Sequence, residues 1–141
     1  MALKDEKTML SFKTVFVLTN QDLTDILSCA LESGGIAYWC DHVDPIGGHY
    51  YGGNACEHVA RGGKLLINLT EGPIEKGGPD NYTLTRGKLL RGISMFLGET
   101  TNPYDYLYQD GTELRFEACN ADAEACDEII QYALFNEIVF S

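Results

Sequence analysis

The sequence predicts an α+β fold: a single domain with a largely antiparallel sheet of five to six strands and three main helices packed on it. Three observations predict it. The periodicities follow the order β-α-β-(short α)-β-β-α-β-α-β, with no regular βαβ alternation and no internal repeat. Three segments place apolar residues at helical spacing, while the others are short runs rich in β-branched and aromatic residues. The 141 residues match the commonest domain size, and such a chain buries enough surface to fold without a staple.

Residues 1–10 read as a flexible arm, and 11–141 as the domain. "SFKTVFVLT" (11–19) begins with apolar–polar alternation and reads as a strand. Asn20 stands where a helix N-cap belongs, and Leu23, Ile26, Leu27, Ala30 and Leu31 follow as one amphipathic stripe. Gly34 and Gly35 end that helix. "IAYWC" (36–40) reads as a strand, "DPIGG" (44–48) as a turn, "ACEHVA" (55–60) as a single helical turn and "GKLLINLT" (63–70) as a strand. "EGPIEKGGPD" (71–80) is a loop. "YTLT" (82–85) leads into a helix capped by Thr85, with its stripe at Leu89, Leu90, Ile93, Phe96 and Leu97. A loop with three tyrosines spans 98–111, and "ELRFEA" (113–118) alternates as a strand. Asn120 is the expected cap of the last helix, whose stripe is Cys126, Ile129, Ile130, Ala133 and Leu134. Asn136 is the expected left-handed residue that ends it, and "EIVF" (137–140) closes as a strand.

No apolar run reaches the ~18 residues that a spanning helix needs, and the first ten residues lack a signal-peptide core. Five cysteines, an odd number, argue against a disulfide framework. The expectation is a cytoplasmic protein with no membrane partner. Net charge is −11 and unevenly spread: residues 1–98 carry 11 acids and 9 bases, residues 99–141 carry 10 acids and one base, Arg115. A surface of that kind repels nucleic acid and attracts basic partners.

The segment 36–64 is the densest in chemistry. Cys40 and His42, then Cys56 and His58, form two Cys-x-His pairs with ligand types that suit tetrahedral zinc, but a single intervening residue is shorter than structural zinc sites use. The same residues, with His49 as another base, offer a Cys-His hydrolase, for which no motif is present. The segment's better use is a small-molecule or nucleotide-signal pocket, with Tyr38, Trp39, Tyr50 and Tyr51 as stacking rings and Arg61 and Lys64 as phosphate partners. Each ring is equally a core residue.

The acidic segment is the second constellation: Asp105, Asp110, Glu113, Glu117, Asp122, Glu124, Asp127 and Glu128. Glu124, Asp127, Glu128 and Gln131 are expected to share a helix face turned from the apolar stripe. Rows of carboxylates imitate duplex phosphates, which repeat at ~3.4 Å per step along a strand. A solvated helix face is the plainer reading.

"GGIAYWCDHVD", "HVARGGKLLI" and "NADAEACDEIIQYALFNEIVFS" resemble segments of small acidic proteins of unassigned function from Gram-positive gut bacteria, their prophages and mobile elements. The resemblance implies an accessory protein of a phage or mobile element and carries over no active-site residue. That group lacks Cys and His at the positions of Cys56 and His58, which weakens zinc further.

The expected function is a non-enzymatic binding protein with no cofactor that inhibits a host defence nuclease, or a similar basic partner, through an acidic, nucleic-acid-mimicking surface. A nucleotide binder without direct nucleic-acid binding and a small zinc- or cysteine-dependent enzyme are the alternatives. Self-association is expected through the closing strand or an aromatic surface.

Overall fold

The computed structural model describes residues 15–47 and 53–141. Among these residues four helices and two antiparallel sheets make an α+β fold. Helix α1 spans Asn20–Leu31, α2 Ala55–Ala60, α3 Arg86–Glu99 and α4 Ala123–Phe135. Strands β1 (Cys40–Ile46), β2 (Lys64–Leu69) and β3 (Asn81–Leu84) form one sheet in that order. Strands β4 (Leu107–Asp110) and β5 (Glu113–Phe116) form a separate hairpin. Among the described residues the strands are thus divided between two sheets instead of joined in one of five to six.

The helices lie where the apolar stripes put them, but two caps differ. Thr19, not Asn20, caps α1: its hydroxyl accepts from Asp22 N at 3.1 Å, and Asp22 Oδ2 accepts from Thr19 N at 2.9 Å. That reciprocal pair satisfies two donors that a helix start otherwise leaves orphaned. Asp122, not Asn120, caps α4, accepting from Ala125 N at 2.9 Å. Thr85 caps α3 as expected, and Asn136 is left-handed at φ 62°.

The strands diverge more. "IAYWC" is not a strand. Trp39 N and Cys40 N both donate to Ile36 O, at 3.1 and 2.9 Å, so the segment coils as a turn. Ile36, Trp39 and Cys40 are its buried residues, a spacing of i, i+3, i+4 that belongs to a helical turn and not to a strand. β1 then runs through Asp44, Pro45 and Ile46, where a turn was expected. It tolerates Pro45 because, among the described residues, it pairs with β2 alone and is a sheet edge. β4 lies inside the expected tyrosine loop, and a turn at Gly111 (φ 61°) and Thr112 joins it to β5. Of the first expected strand, residues 11–14 lie outside the described residues, as does the arm at 1–10. Val17 bridges in parallel to Arg115, donating to Leu114 O at 2.7 Å and accepting from Phe116 N at 3.1 Å.

"EIVF" is not a strand either. Gln131 Oε1 accepts from Val139 N and Phe140 N, both at 2.8 Å, and Gln131 Nε2 donates to Phe140 O at 3.0 Å. A buried side-chain amide on α4 thus satisfies the backbone that a neighbouring strand would have paired.

The core lies among α1, α3, α4 and the inner face of the three-stranded sheet, with Leu23, Leu27, Leu65, Ile67, Leu89, Ile93, Ile129 and Ile130 all fully buried. α3 and α4 are in close contact at Gly92, where a Cβ would stand 2.5 Å from Ile129 O.

Candidate functional site

The best-defined polar arrangement sits where the 34–40 turn meets α4. Asp127 is 7% exposed, so it is not part of the acidic surface. Its carboxylate accepts from Trp39 Nε1 at 2.7 Å, Tyr38 Oη at 2.6 Å and Gln131 Nε2 at 2.9 Å. Three donors around one buried carboxylate satisfy it without a cation. Gln131, also expected on the solvated face, is fully buried. Trp39 is buried against Phe140, stacked at 5.2 Å and 6°, and against Phe135, edge-on at 5.6 Å. It is core, and no ligand reaches its faces.

Tyr38 is different. Its ring is 51% exposed while Asp127 fixes its hydroxyl. Burial, then the hydrogen bond and charge of Asp127, push its phenol up to about 12. The ring borders a groove of about 420 Å³, walled by Gly34, Gly35, Ile138 and Phe140 and edged by Glu124 and Glu128.

The acidic side chains divide into three groups. Asp110 and Glu113 are paired with Arg115, at 2.9 and 2.8 Å. Glu117 accepts from Cys119 N at 3.4 Å. The charges of Asp105, Asp122, Glu124 and Glu128 all act on Tyr106, whose phenol is pushed up by burial first and then by them. Glu128 in turn titrates above the usual carboxylate range, through burial and then the charges of Glu124, Asp127 and Asp122. Tyr132 is pushed up by burial and by Glu99 and Glu128, which brings the end of α3 into the same patch.

Among the described residues, no Lys or Arg lies within 4.0 Å of a carboxylate of that patch; the Lys and Arg ion pairs are Arg61 with Glu57 and Arg115 with its two partners. Other bases are held by carbonyls: Arg86 by Ala60 O at 3.2 Å, Arg91 by Ala133 O at 2.7 Å and Lys88 by Thr83 O at 2.7 Å. Glu99 was counted among the ten acids but not assigned to the site, because it ends α3 while the assigned carboxylates all follow it in the chain. Asp22 and Asp25 of α1 were not assigned to it either, and their charges reach Cys119 beside Glu117. Only the packing of α1 against the 118–120 turn brings them there.

The nucleotide pocket is not assembled from the residues assigned to it. Trp39 O accepts from Thr70 N, at one end of β2, whereas Lys64 begins β2 at the other. Six residues of strand separate those ends by roughly 20 Å. Arg61 is paired with Glu57 at 3.4 Å. Tyr50, Tyr51 and His49 lie outside the described residues.

The two Cys-x-His pairs do not converge as ligand pairs. Cys40 is buried, while His42, beyond a register shift in β1, is exposed between Asp41 and Asp44, at 2.8 and 3.3 Å. Its imidazole is pushed up by Asp41 first. Cys56 and His58 sit on α2, where positions i and i+2 point apart. His58 Nε2 lies 3.0 Å from Ile46 O and 3.2 Å from Lys64 N, its ring packed so close to Gly63 that no Cβ would fit there. Burial pushes the thiols of Cys40 and Cys56 up to about 11, opposite to what a nucleophilic or metal-binding thiolate requires. Among the described residues no three His, Cys, Asp or Glu side chains are grouped to hold a metal ion, and no helix is long and apolar enough to cross a membrane.

No family model, curated protein or solved structure matches this chain. The geometry is therefore the basis for a functional reading.

Proposed function

We propose that this chain is a non-enzymatic binding protein that takes a basic partner on the acidic face at the start of α4. The observation that supports it best is that the charges of Asp105, Asp122, Glu124 and Glu128 all act on Tyr106 with no Lys or Arg ion-paired to them among the described residues. Holding like charges together raises the free energy of the isolated protein, and a cationic partner relieves it. The groove supplies the anchor. An Arg or Lys of the partner lies over the face of Tyr38, a cation–π contact, with its charge between Glu124 and Glu128 and its stem along Ile138 and Phe140. A phosphate-bearing ligand would meet the same carboxylates with no Lys or Arg among the described residues of the groove to receive it, so we prefer the basic partner over a nucleotide. The particular form of this proposal is a phage or mobile-element inhibitor that occupies the nucleic-acid groove of a host defence nuclease; its support is the resemblance of the three segments and the charge.

An arginine-rich peptide serves as probe, with Trp39 as the fluorescent reporter beneath the groove. Binding should weaken steeply as salt rises, because screening acts over ~8 Å at physiological ionic strength. Glu124→Lys with Glu128→Lys should abolish it. Affinity insensitive to salt, or unchanged in that double variant, would overturn the proposal.

A further inference from the structure

Two thiols from different helices meet under the acidic face. Cys126 on α4 is fully buried and Cys29 on α1 is half-buried. The Cys126 sulfur lies 3.6 Å and the Cys29 sulfur 3.8 Å from one carbonyl oxygen, that of Ala121, to which both thiols donate. We propose that Cys29 and Cys126 are a redox-active dithiol that closes to a disulfide under hydrogen peroxide or a related small peroxide.

The approach makes this feasible. A disulfide asks for specific side-chain geometry, and two thiols that donate to the same carbonyl oxygen from different helices start on a shared atom, from which side-chain rotation turns one sulfur toward the other. The roles follow from accessibility. Peroxide oxidises the Cys29 sulfur: an S–O bond forms, the O–O bond breaks, and the departing hydroxide leaves as water with the thiol proton. The Cys126 sulfur then displaces the hydroxyl from the Cys29 sulfenic acid. The S–S bond forms, and a second water leaves with the Cys126 proton. Two thiols lose two electrons and peroxide becomes two waters. Burial pushes the Cys126 thiol up, so it does not react first with peroxide; it completes the bond because the Cys29 sulfenic acid forms beside it, at the carbonyl both thiols share. The exposed competitor, Cys119, is held protonated by its hydrogen bond to Glu117, whose charge adds to the effect with those of Asp25 and Asp22.

The consequence reaches the groove. Ala121 immediately precedes Asp122, the cap of α4, and then the wall residues Ala123 and Glu124. Closing the disulfide removes both S–H donors from Ala121 O and fastens α1 to α4 at the rim of the proposed binding face.

The test treats the reduced full chain with hydrogen peroxide, blocks remaining thiols and maps peptides without reduction. Free thiols should fall from the five cysteines of the chain to three, a Cys29–Cys126 peptide pair should appear, and dithiothreitol should reverse both. Cys29→Ser, at the half-buried position, should abolish the pair even if Cys126→Ser fails to fold. Oxidation recorded only as sulfenic or sulfinic acid on single cysteines, a link through Cys119 instead, or an unchanged thiol count under peroxide that oxidises glutathione in the same tube would each overturn the proposal. None of these results depends on whether a basic partner binds.

Discussion

Asp127 illustrates how one residue joins three parts of the molecule. Its carboxylate receives Tyr38 and Trp39 from the 34–40 turn and Gln131 from its own helix, and Gln131 carries the connection on to residues 139 and 140. Asp127→Ala strands buried donors and should cost about 2–4 kcal/mol of stability, with Trp39 emission shifting to the red as water reaches the indole; equilibrium denaturation followed by that fluorescence checks both. Tyr38 carries a pH signature. Its phenol is raised from the ordinary 10.0 to about 12, so between those values the folded state holds a proton that the unfolded chain has lost. The stability linked to it is fully present below pH 10 and disappears as pH rises through 12. Tyr38→Phe should lack this share of the alkaline loss in denaturation measured across that range. The sequence did not expose Asp127 as a core residue, for a physical reason. It flanks the apolar stripe of α4, and polarity at a stripe's border is the same for a solvated side chain and for one covered by a neighbouring segment. Only the return of residues 138–140 over α4 decides between them.

At the scale of elements, the helices were legible and part of the sheet was not. Stripes and caps are local, and Leu23, Ile26, Leu27 and Ala30 had to face inward whatever they packed against. "IAYWC" is β-rich in composition, but the carbonyl of Ile36 captures two amides, and burial at 36, 39 and 40 follows. The β4–β5 hairpin carried a signal that was available: Gly111-Thr112 between two short runs is a two-residue turn with glycine at its first position, where φ is 61°. The run at 137–140 is strand-like in composition and irregular in fact, because Gln131 satisfies its backbone before any strand does. The contact of α3 with α4 gives a direct prediction. Gly92→Ala drives a methyl to within 2.5 Å of Ile129 O and 2.9 Å of Ala133 Cβ, against backbone that cannot swing aside. Overpacking of this kind costs about 1–3 kcal/mol, and the thermal midpoint should fall accordingly. Gly98→Ala, with nothing within 4 Å of the new methyl, should be neutral or slightly stabilising.

For the whole molecule the sequence located the charge and not its geometry. Ten acids against one base after residue 98 were countable. Which of them stay unpaired was not, because Arg115 takes Asp110 and Glu113, α4 turns Asp127 inward, and α3 contributes Glu99. The central claim is that the remaining carboxylates act as a local site, beyond the attraction any acidic protein has for a polycation. Two variants with the same change in net charge separate the cases: Glu124→Gln with Glu128→Gln in the patch, and Glu71→Gln with Glu75→Gln in the loop between β2 and β3. Calorimetric titration of each with one arginine-rich peptide at physiological salt is the most direct measurement. The account predicts that the patch variant loses at least about fivefold in affinity, roughly 1 kcal/mol, while the loop variant stays near the parent; equal losses in the two would contradict it.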